Sequence, residues 1–422
     1  MKKLKINTFL DIAALLIALL PVAWIYSFPI IINNLGHFLL LFIIFPIVFV
    51  ARRKKRYNTS EKWYLYYFVY LIAISLLMPL MRGYAMEVRW WIMLIELTII
   101  CLVIMRNELC CRSVVKYYKW LSLIFSAFLI LQYVAYHTIH ISISGFIPFL
   151  SFYNSEAEFM SVEDTGRLLE ISSVFTERAH FCQYVIPCMA LLLWDVGGKT
   201  RAKWVKIVTI LAAVLLSTSG NGLIATAVIF SVYVIKKLVF KNIAYMIIGF
   251  AIFAGGFLFI YRSSLIQGTS YGLFVAEDGQ EASKAYIRIY RGFLLYSEMP
   301  IEEMIAGSGW RDMKSCLDKY NPSAVGLYYM DNFEYLNSIA QILIYSGIIG
   351  LLLFSIFIRC LWKDVGHVGG RIVIIIMLMF MTSSSLLLAD VWILYLAIFS
   401  GIRYFVFSKQ LLKLHACKDE KN

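Results

Sequence analysis

The feature that most constrains this chain is a series of apolar runs, each about 16–23 residues long, the length that an α-helix needs to cross a membrane. Hydrophobic residues make up 61% of the 422 residues and charged residues only 15%, against roughly 25% charged in an average soluble domain. Such a chain cannot cover its surface with polar side chains. Because period-two alternation is absent, a membrane barrel is not indicated. We therefore predict an all-α, polytopic membrane protein.

About twelve spans are predicted, and they form a single integral membrane domain over residues 1–422. The start "MKKLK" is basic, but the long apolar run behind it has no cleavage site, so it is predicted to be the first span rather than a signal peptide. The predicted spans cover residues 8–28, 30–50, 63–81, 88–105, 118–136, 180–196, 204–218, 221–235, 242–261, 337–358, 371–389 and 391–408.

Every second connection between these apolar runs is rich in lysine and arginine. The basic connections lie at 52–56, 106–112, 197–206, 236–241 and 359–371, and the C-terminal tail is rich in lysine. By the positive-inside rule these segments are cytoplasmic, as are both termini. Most of the 39 lysines and arginines lie on the predicted cytoplasmic side. The net charge of +13 is therefore explained by orientation, and no nucleic-acid partner is implied.

Two predicted outer loops are long, at about 137–179 and about 262–336. The second is too long for a plain connector. Its segment 283–298, "SKAYIRIYRGFLLYSE", has apolar residues at helical spacing. We therefore expect short helices within this loop.

The same segment carries cations at i, i+4 and i+7, namely Lys284, Arg288 and Arg291. A stripe of this kind can grip phosphate oxygens, because guanidinium keeps its charge at any pH. The alternative is a solvated face that nearby glutamates balance. The eight cysteines have no zinc-site spacing and no tight carboxylate motif is present, so neither a metal nor a cofactor is predicted.

Charged residues also crowd the entrance to the predicted sixth span, in "SSVFTERAHFCQYVIP" at 172–187. Glu177 could cap the helix, Arg178 could extend to the interface, and His180 could be structural. With Arg167 upstream, the four recur within a short stretch at one depth. They could instead line one cavity.

Three further polar segments have both a structural and a functional interpretation. "IAGSGW" at 305–310 contains Gly307 and Gly309, "STSGNG" at 217–222 contains Asn221, and both could be turns or ligand contacts. "DNFEYLNSIAQ" begins the predicted tenth span, where capping alone could explain its polar residues Asp331, Asn332, Glu334 and Asn337. Glu96, midway along the fourth span, is either functional or held by a buried hydrogen bond.

Four segments together resemble the bacterial polysaccharide repeat-unit polymerases and the related O-antigen ligases. They are "SSVFTERAHFCQYVIPCMALLLW", "LLSTSGNGLIATAVIF", the run from Arg288 through Pro300 to "IAGSGW", and "DNFEYLNSIAQILIYSGIIGLLLF". Arg178 stands where that family usually has proline. The ligase branch typically has a histidine before the asparagine of the last segment, and here no histidine lies between His180 and His367. The resemblance therefore favours a polymerase.

The resemblance implies an enzyme of the outer face of the bacterial cytoplasmic membrane that needs neither metal nor cofactor. It would transfer a glycan from undecaprenyl diphosphate to a lipid-linked oligosaccharide, with the lipid bilayer and a chain-length regulator as candidate partners. The residues expected to bind the diphosphate are Arg288, Arg291, Arg178 and Arg167. The residues expected to act in catalysis are Glu177, His180, Asp331 and Glu334. Substrate contacts fall to Asn332, Asn337, Asn221, Gly307 and Gly309. A ligase and a transporter of polysaccharide or lipid-linked oligosaccharide remain alternatives.

Overall fold

The computed structural model of the chain describes residues 2–28, 34–51, 57–82, 88–153, 162–164, 169–236, 289–310, 336–387 and 390–419. Helices dominate these residues. In chain order the helices are α1 (Lys2–Ala23), α2 (Leu35–Phe38), α3 (Phe45–Val50), α4 (Thr59–Arg82), α5 (Val88–Ile95), α6 (Cys101–Met105), α7 (Glu108–Ile139), α8 (Arg178–Leu193), α9 (Lys203–Leu216), α10 (Gly220–Val234), α11 (Arg291–Ser297), α12 (Ile301–Ala306), α13 (Ser338–Val365), α14 (Val368–Met381) and α15 (Asp390–Asp419). Two π-helical segments, Leu39–Ile44 and Glu96–Ile100, join α2 to α3 and α5 to α6.

Four described helices are long and apolar enough to cross a membrane, judged by length and composition: Thr59–Met81, Glu108–Ile139, Ser338–Val365 and Asp390–Ser408. Several shorter apolar helices accompany them. Helical structure is thus confirmed where it can be compared, and the apolar helices indicate a membrane protein. The number of spans and their orientation stay predictions, and the predicted ninth span, 242–261, lies outside the described residues.

The predicted outer loop 137–179 contains a short hairpin that the all-α prediction did not include. Strand β1 (Val162–Asp164) pairs antiparallel with β2 (Leu169–Ile171). Earlier in the loop, the Ile147 N–H donates to the Tyr26 hydroxyl oxygen at 3.0 Å, and the Ser27 N–H donates to the Ser151 carbonyl at 2.8 Å. The loop is therefore fastened to the connection between α1 and α2.

Helix α7 begins ten residues before the predicted span 118–136, and a local cap explains why. The Asn107 side chain accepts the Cys110 N–H at 3.1 Å, which satisfies one of the free donors of the first turn. One turn on, Arg112 pairs with Glu108 at 2.5 Å. These polar contacts start the helix before its apolar stretch. Like the other described cysteines, Cys110 is free.

The centre of the bundle is an aromatic contact between α13 and α4. The ring of Tyr67 lies 5.5 Å from that of Phe354, and Tyr64 lies 5.3 Å from Phe357. Trp392 of α15 joins them, 5.9 Å from Phe354. All five side chains are buried, so rings rather than aliphatic chains set the spacing of these three helices.

Helix α13 breaks at Gly347, where φ is 61° and ψ is −167°, a combination essentially restricted to glycine. The loop after α12 closes the gap. Its Ser308 and Gly309 N–H groups donate to the carbonyls of Ile344 and Tyr345 at 2.8 and 3.0 Å. Two carbonyls beside the break therefore have partners, as an apolar environment requires.

Two glycines permit the close approach of this loop. A Cβ at Gly307 would lie 2.3 Å from the Tyr345 carbonyl oxygen, and one at Gly347 would lie 2.3 Å from the Ile305 carbonyl oxygen. Beyond the glycines, the backbone N–H of the buried Trp310 donates to Ser75 Oγ of α4 at 2.8 Å. The loop therefore ties α13 to α4.

Two buried pairs of ionisable side chains connect separate helices of the bundle. Nδ1 of His37 lies 2.7 Å from Oε1 and 2.6 Å from Oε2 of Glu96, with the two side chains 9% and 2% exposed. Arg403 Nη2 lies 2.7 Å from Glu61 Oε1, which is also buried. For Glu96 the buried hydrogen bond is thus confirmed, with His37 as its partner.

We expect Gly347→Ala to destabilise the protein far more than Gly366→Ala. Both glycines have positive φ, 61° and 59°. Alanine at Gly366, whose ψ is −15°, costs about 1–2 kcal/mol in backbone strain, and alanine at Gly347, whose ψ is −167°, costs more. At Gly347 the new Cβ would also lie 2.3 Å from the Ile305 carbonyl oxygen, whereas its nearest neighbour at Gly366 would be 3.6 Å away. The added crowding brings the expected loss to about 3 kcal/mol or more. Thermal unfolding of the purified proteins in detergent measures both, and equal losses would contradict the role given to the close contact.

Candidate functional site

Five helix ends meet at one end of the bundle through polar contacts: the starts of α8, α10 and α13, and the ends of α9 and α14. We call the side chains that join them the polar seam. The polar seam consists of Arg178, Thr218, Asn221, Ser338, Gln341, Ser383, Ser384 and Ser385.

Arg178 joins α8 to the turn between α9 and α10. Its Nη1 donates to Thr218 Oγ1 at 2.8 Å and reaches the Thr218 carbonyl oxygen at 3.5 Å. Thr218 has φ 54°, a conformation that L-residues seldom adopt, and Ser219 then caps α10 by accepting the Gly222 N–H at 3.4 Å. A Cβ at Gly222 would lie 2.4 Å from Cys182 Sγ. The turn is therefore packed closely onto the first turns of α8.

The same turn reaches α14 through Asn221, whose Nδ2 donates to Ser383 Oγ at 3.2 Å. The next two serines continue this series of hydrogen bonds to α13. The Ser338 N–H and hydroxyl both donate to the Ser384 carbonyl, at 3.0 and 2.9 Å. Gln341 Nε2 donates to Ser385 Oγ at 2.8 Å. Three consecutive serines thus connect α10 with α13.

Asn337 organises the start of α13. Its side-chain oxygen accepts the Ala340 N–H at 2.9 Å, and its Nδ2 donates to the Ile289 carbonyl at 2.8 Å. Capping by Asn337 is thus confirmed. A Cβ at Gly292 would lie 2.4 Å from the Ala340 Cβ, so α11 rests directly on this turn. The backbone of Arg291, the first residue of α11, is held beside the start of α13, and its side chain lies outside the described part of the structure.

Helix α11 is joined to α12 as well. The Tyr296 hydroxyl donates to the Met304 carbonyl at 2.7 Å, and burial raises the pKa of Tyr296. The predicted loop helix 283–298 is helical over Arg291–Ser297, and the rest of it before Ile289 is outside the described residues.

Several buried polar atoms have no hydrogen-bond partner among the described residues. Three of them are Nε2 of Gln183 on α8, Oε1 of Gln341 on α13 and Oδ2 of Asp390 at the start of α15. All three residues are at most 7% exposed. Buried polar atoms are normally paired, and exceptions call for an explanation. Binding of a polar ligand between these helices would provide one.

The first turn of α8 places Glu177 and His180 on either side of Arg178 in the chain. Glu177 occupies the N-cap position, with φ −133° and ψ 149°, but its side chain makes no capping hydrogen bond. His180 is exposed, and its Nδ1 lies 3.0 Å from Thr176 Oγ1. This contact orients the imidazole locally while its ring stays accessible.

Gly307 and Gly309 lie in the loop that closes the α13 break. A Cβ at Gly309 would come within 3.0 Å of the Ser75 Cα. Both glycines therefore have a structural reason to be glycine, and a substrate contact by either stays a prediction.

Several predicted site residues lie outside the described part of the chain. These are Arg167, Arg288, Asp331, Asn332 and Glu334. Within the described ranges no group of three or more His, Cys, Asp and Glu residues could hold a metal ion.

Ser338, Gln341 and the three serines at 383–385 are not among the residues predicted from the sequence to form the site. The signal was present as "TSSS" at 382–385, a polar run inside the predicted span 371–389. In the structure α14 ends at Met381, so this run is a turn. A polar run that interrupts an apolar stretch near its end indicates this kind of early helix end.

A comparison with protein-family models finds none that matches this chain, and a search of curated proteins likewise finds no match.

Ser338→Ala is expected to lower the stability of the polar seam by about 1–3 kcal/mol. The Ser338 hydroxyl donates to the Ser384 carbonyl and accepts the N–H groups of Leu386 at 2.6 Å and Leu387 at 3.2 Å. Alanine would leave the buried Leu387 N–H without this acceptor, at about 1–3 kcal/mol, whereas the Leu386 N–H keeps the Ser384 carbonyl as an acceptor at 3.1 Å.

The matched control is Ser297→Ala, because the exposed Ser297 hydroxyl donates to the Leu294 carbonyl within its own helix. That change should cost less than about 0.5 kcal/mol. Unfolding temperatures in detergent compare the two variants. An equal effect would mean that the Ser338 hydroxyl does not hold α13 to the α14–α15 turn.

Proposed function

We propose that this protein is a polysaccharide polymerase of the bacterial cytoplasmic membrane, with its site on the outer face and both termini in the cytoplasm. It transfers a growing glycan from undecaprenyl diphosphate to the non-reducing end of an incoming lipid-linked repeat unit. One observation carries the proposal: the segments that resemble such polymerases lie against one another in pairs.

The first pair consists of "SSVFTERAHF" and "STSGNG". Arg178 of the first donates to Thr218 of the second, and Gly222 packs on Cys182. The second pair consists of "IAGSGW" and the helix of "NSIAQILIYSG", joined by the N–H groups of Ser308 and Gly309. The three serines 383–385 link the two pairs. Such contacts are what a site assembled from separate parts of the chain requires.

The reaction needs an acceptor hydroxyl, a glycosyl donor and a stabilised leaving group. The hydroxyl oxygen attacks the anomeric carbon of the donor and forms the new glycosidic bond. The bond from that carbon to the diphosphate oxygen breaks, and its electron pair leaves with the lipid diphosphate. The hydroxyl proton passes to a general base. Because diphosphate is already a good leaving group, no nucleotide is required.

Cations would stabilise the charge that develops on the diphosphate. Arg178 is suited to this role, because its contact with Thr218 fixes the guanidinium at the polar seam. The backbone of Arg291 is held nearby at the start of α13 through Gly292 and Ala340. Arg288 and Arg167 belong to the same proposal through the resemblance alone.

Glu177 and His180 are the proposed bases among the described residues. Both lie within one helical turn of Arg178, and His180 is exposed with its ring oriented by Thr176. Asp331 and Glu334 are the other candidates. Asn221 and Asn337 would contact the sugar. Their side-chain amides also hold α10 and α13 in place, through hydrogen bonds to Ser383 and to the Ile289 carbonyl.

Arg178→Ala should reduce polymer formation by on the order of 10–100-fold, because a hydrogen bond to a charged group is worth about 1.5–3 kcal/mol. Arg178→Lys should fall between wild type and alanine, since it keeps the charge but loses the bidentate geometry. The measurement is the ladder of surface polymer in a complemented deletion strain, at matched protein levels.

Thr218→Val is the matched control, because it removes the 2.8 Å hydrogen bond but leaves the arginine. Valine is close to threonine in shape and β-branched like it, so the strained turn is unchanged. If Thr218→Val and Arg178→Ala reduce both the ladder and the unfolding temperature equally, Arg178 serves the fold and the diphosphate role is wrong.

A transporter is the second candidate, favoured by the buried pair of His37 and Glu96. An ionisable pair of this kind within apolar helices is common in proton-coupled carriers. Glu96 begins the π-helical segment Glu96–Ile100, and His37 lies two residues before the π-helical segment Leu39–Ile44. Such π-helical turns are frequent at functional sites.

Deletion of the gene separates these functions. A strain without a polymerase should display single repeat units, whereas a strain without a ligase or a transporter of the repeat unit should display none. Surface polymer of normal length after deletion would exclude a polymerase.

A further inference from the structure

A basic cleft lies at the opposite end of the bundle from the polar seam. It is bounded by the first half of α7, the end of α8, the start of α9 and Phe405 of α15, and has a volume of about 170 Å³. Its lining includes three lysines, Lys116, Lys119 and Lys206, and no carboxylate. Trp120 and Leu123 supply part of its apolar wall.

The three lysines are held in different ways. The Lys119 ammonium donates to the Val196 carbonyl just beyond the end of α8, where carbonyls lack helical partners. The Lys206 ammonium lies 5.3 Å from the centroid of the Trp120 ring, within reach of a cation–π contact. Lys116 is exposed. The cleft therefore has one anchored and two more accessible cations.

No carboxylate lies among the lining residues of the cleft, although Asp195 interacts electrostatically with Lys119. Asp195, at the same helix end, is 2.8 Å from Lys203 Nζ, and Lys203 is not a lining residue. Like charges within a small cleft repel one another, and an anion between them would relieve that repulsion.

Apolar surface extends from both sides of the cleft. On α7, the side chains of Trp120, Ile124 and Leu131 are 56%, 52% and 52% exposed, and their spacing places them along one face. On α9, Val205 and Val208 are 68% and 59% exposed. A ligand with a phosphate in the cleft could therefore lay acyl chains along either stripe. Trp120 also has the position of a residue at the lipid–water boundary.

We propose that this cleft binds the phosphate of an anionic membrane phospholipid, with the lysines on the headgroup and the exposed stripes against the acyl chains. The site does not depend on the polymerase function and requires only that these helices lie in a bilayer. Basic clefts between membrane helices are suited to such headgroups, because each cation near an anionic membrane surface contributes to attraction.

The test compares the full-length protein in a neutral detergent with and without added lipid. We expect phosphatidylglycerol to raise the unfolding temperature of the wild type by at least about 2 °C through ligand linkage. Phosphatidylcholine and inorganic phosphate, at the same concentration, should give no rise. Native mass spectrometry should show phosphatidylglycerol retained by the wild type.

The informative variant is Lys116→Gln with Lys206→Gln, which leaves the Lys119 contact to Val196 in place. The matched control is Lys199→Gln with Arg201→Gln, two exposed cations of the α8–α9 connection that do not line the cleft. The first pair should lose the temperature rise and the retained lipid, and the control pair should keep both.

Three outcomes would overturn the proposal. They are no shift with the wild type, an equal loss in both double variants, and an equal shift with inorganic phosphate. The second would indicate general surface attraction, and the third a soluble phosphate ligand. Lys116→Arg with Lys206→Arg should restore lipid retention, which distinguishes loss of charge from loss of folding.

Discussion

The hydrogen bonds that close the break in α13 are the constraint on which the arrangement of the candidate site depends. In an apolar environment each unpaired backbone group costs several kcal/mol, so a helix can break there only if another segment supplies partners. Ser308 and Gly309 do so for the carbonyls of Ile344 and Tyr345. The loop after α12 is therefore fixed to α13, and α12 carries α11 through the contact between Tyr296 and Met304.

This order of dependence explains why the backbone of α11 lies beside the start of α13. Helix α11 cannot move freely, because Gly292 packs against Ala340 and Asn337 holds the Ile289 carbonyl. Those contacts lie at the first turn of α13, one turn from Gln341 and its partner Ser385. The break in α13 and the polar seam are thus opposite ends of one supported stretch of helix.

The positions of most helices could be predicted from the sequence, because hydropathy and basic connections depend on local composition. Asn337 could be recognised near a helix start for the same reason. The break at Gly347 could not, since "GIIG" reads as helix and the reason for the break is a loop 40 residues earlier. The partner of Glu96 could likewise not be predicted, because His37 is 59 residues away. The role of Ser384 could not be predicted either, because it depends on the hydrogen bond from Ser338. Apolar periodicity predicts elements, whereas polar contacts between distant segments decide how they meet.

Charge distribution relates the two ends of the bundle. Lys206 lies in one of the basic connections that predict the orientation, and Lys116 and Lys119 follow another. The structure gathers all three around one cleft. If positive charge sets the cytoplasmic side, the lipid in this cleft comes from the cytoplasmic leaflet, and a polyprenyl diphosphate at the polar seam comes from the outer one. The two anionic lipids would then not compete. A lipid held between α7, α8 and α9 would instead support the helix whose first turn carries Arg178.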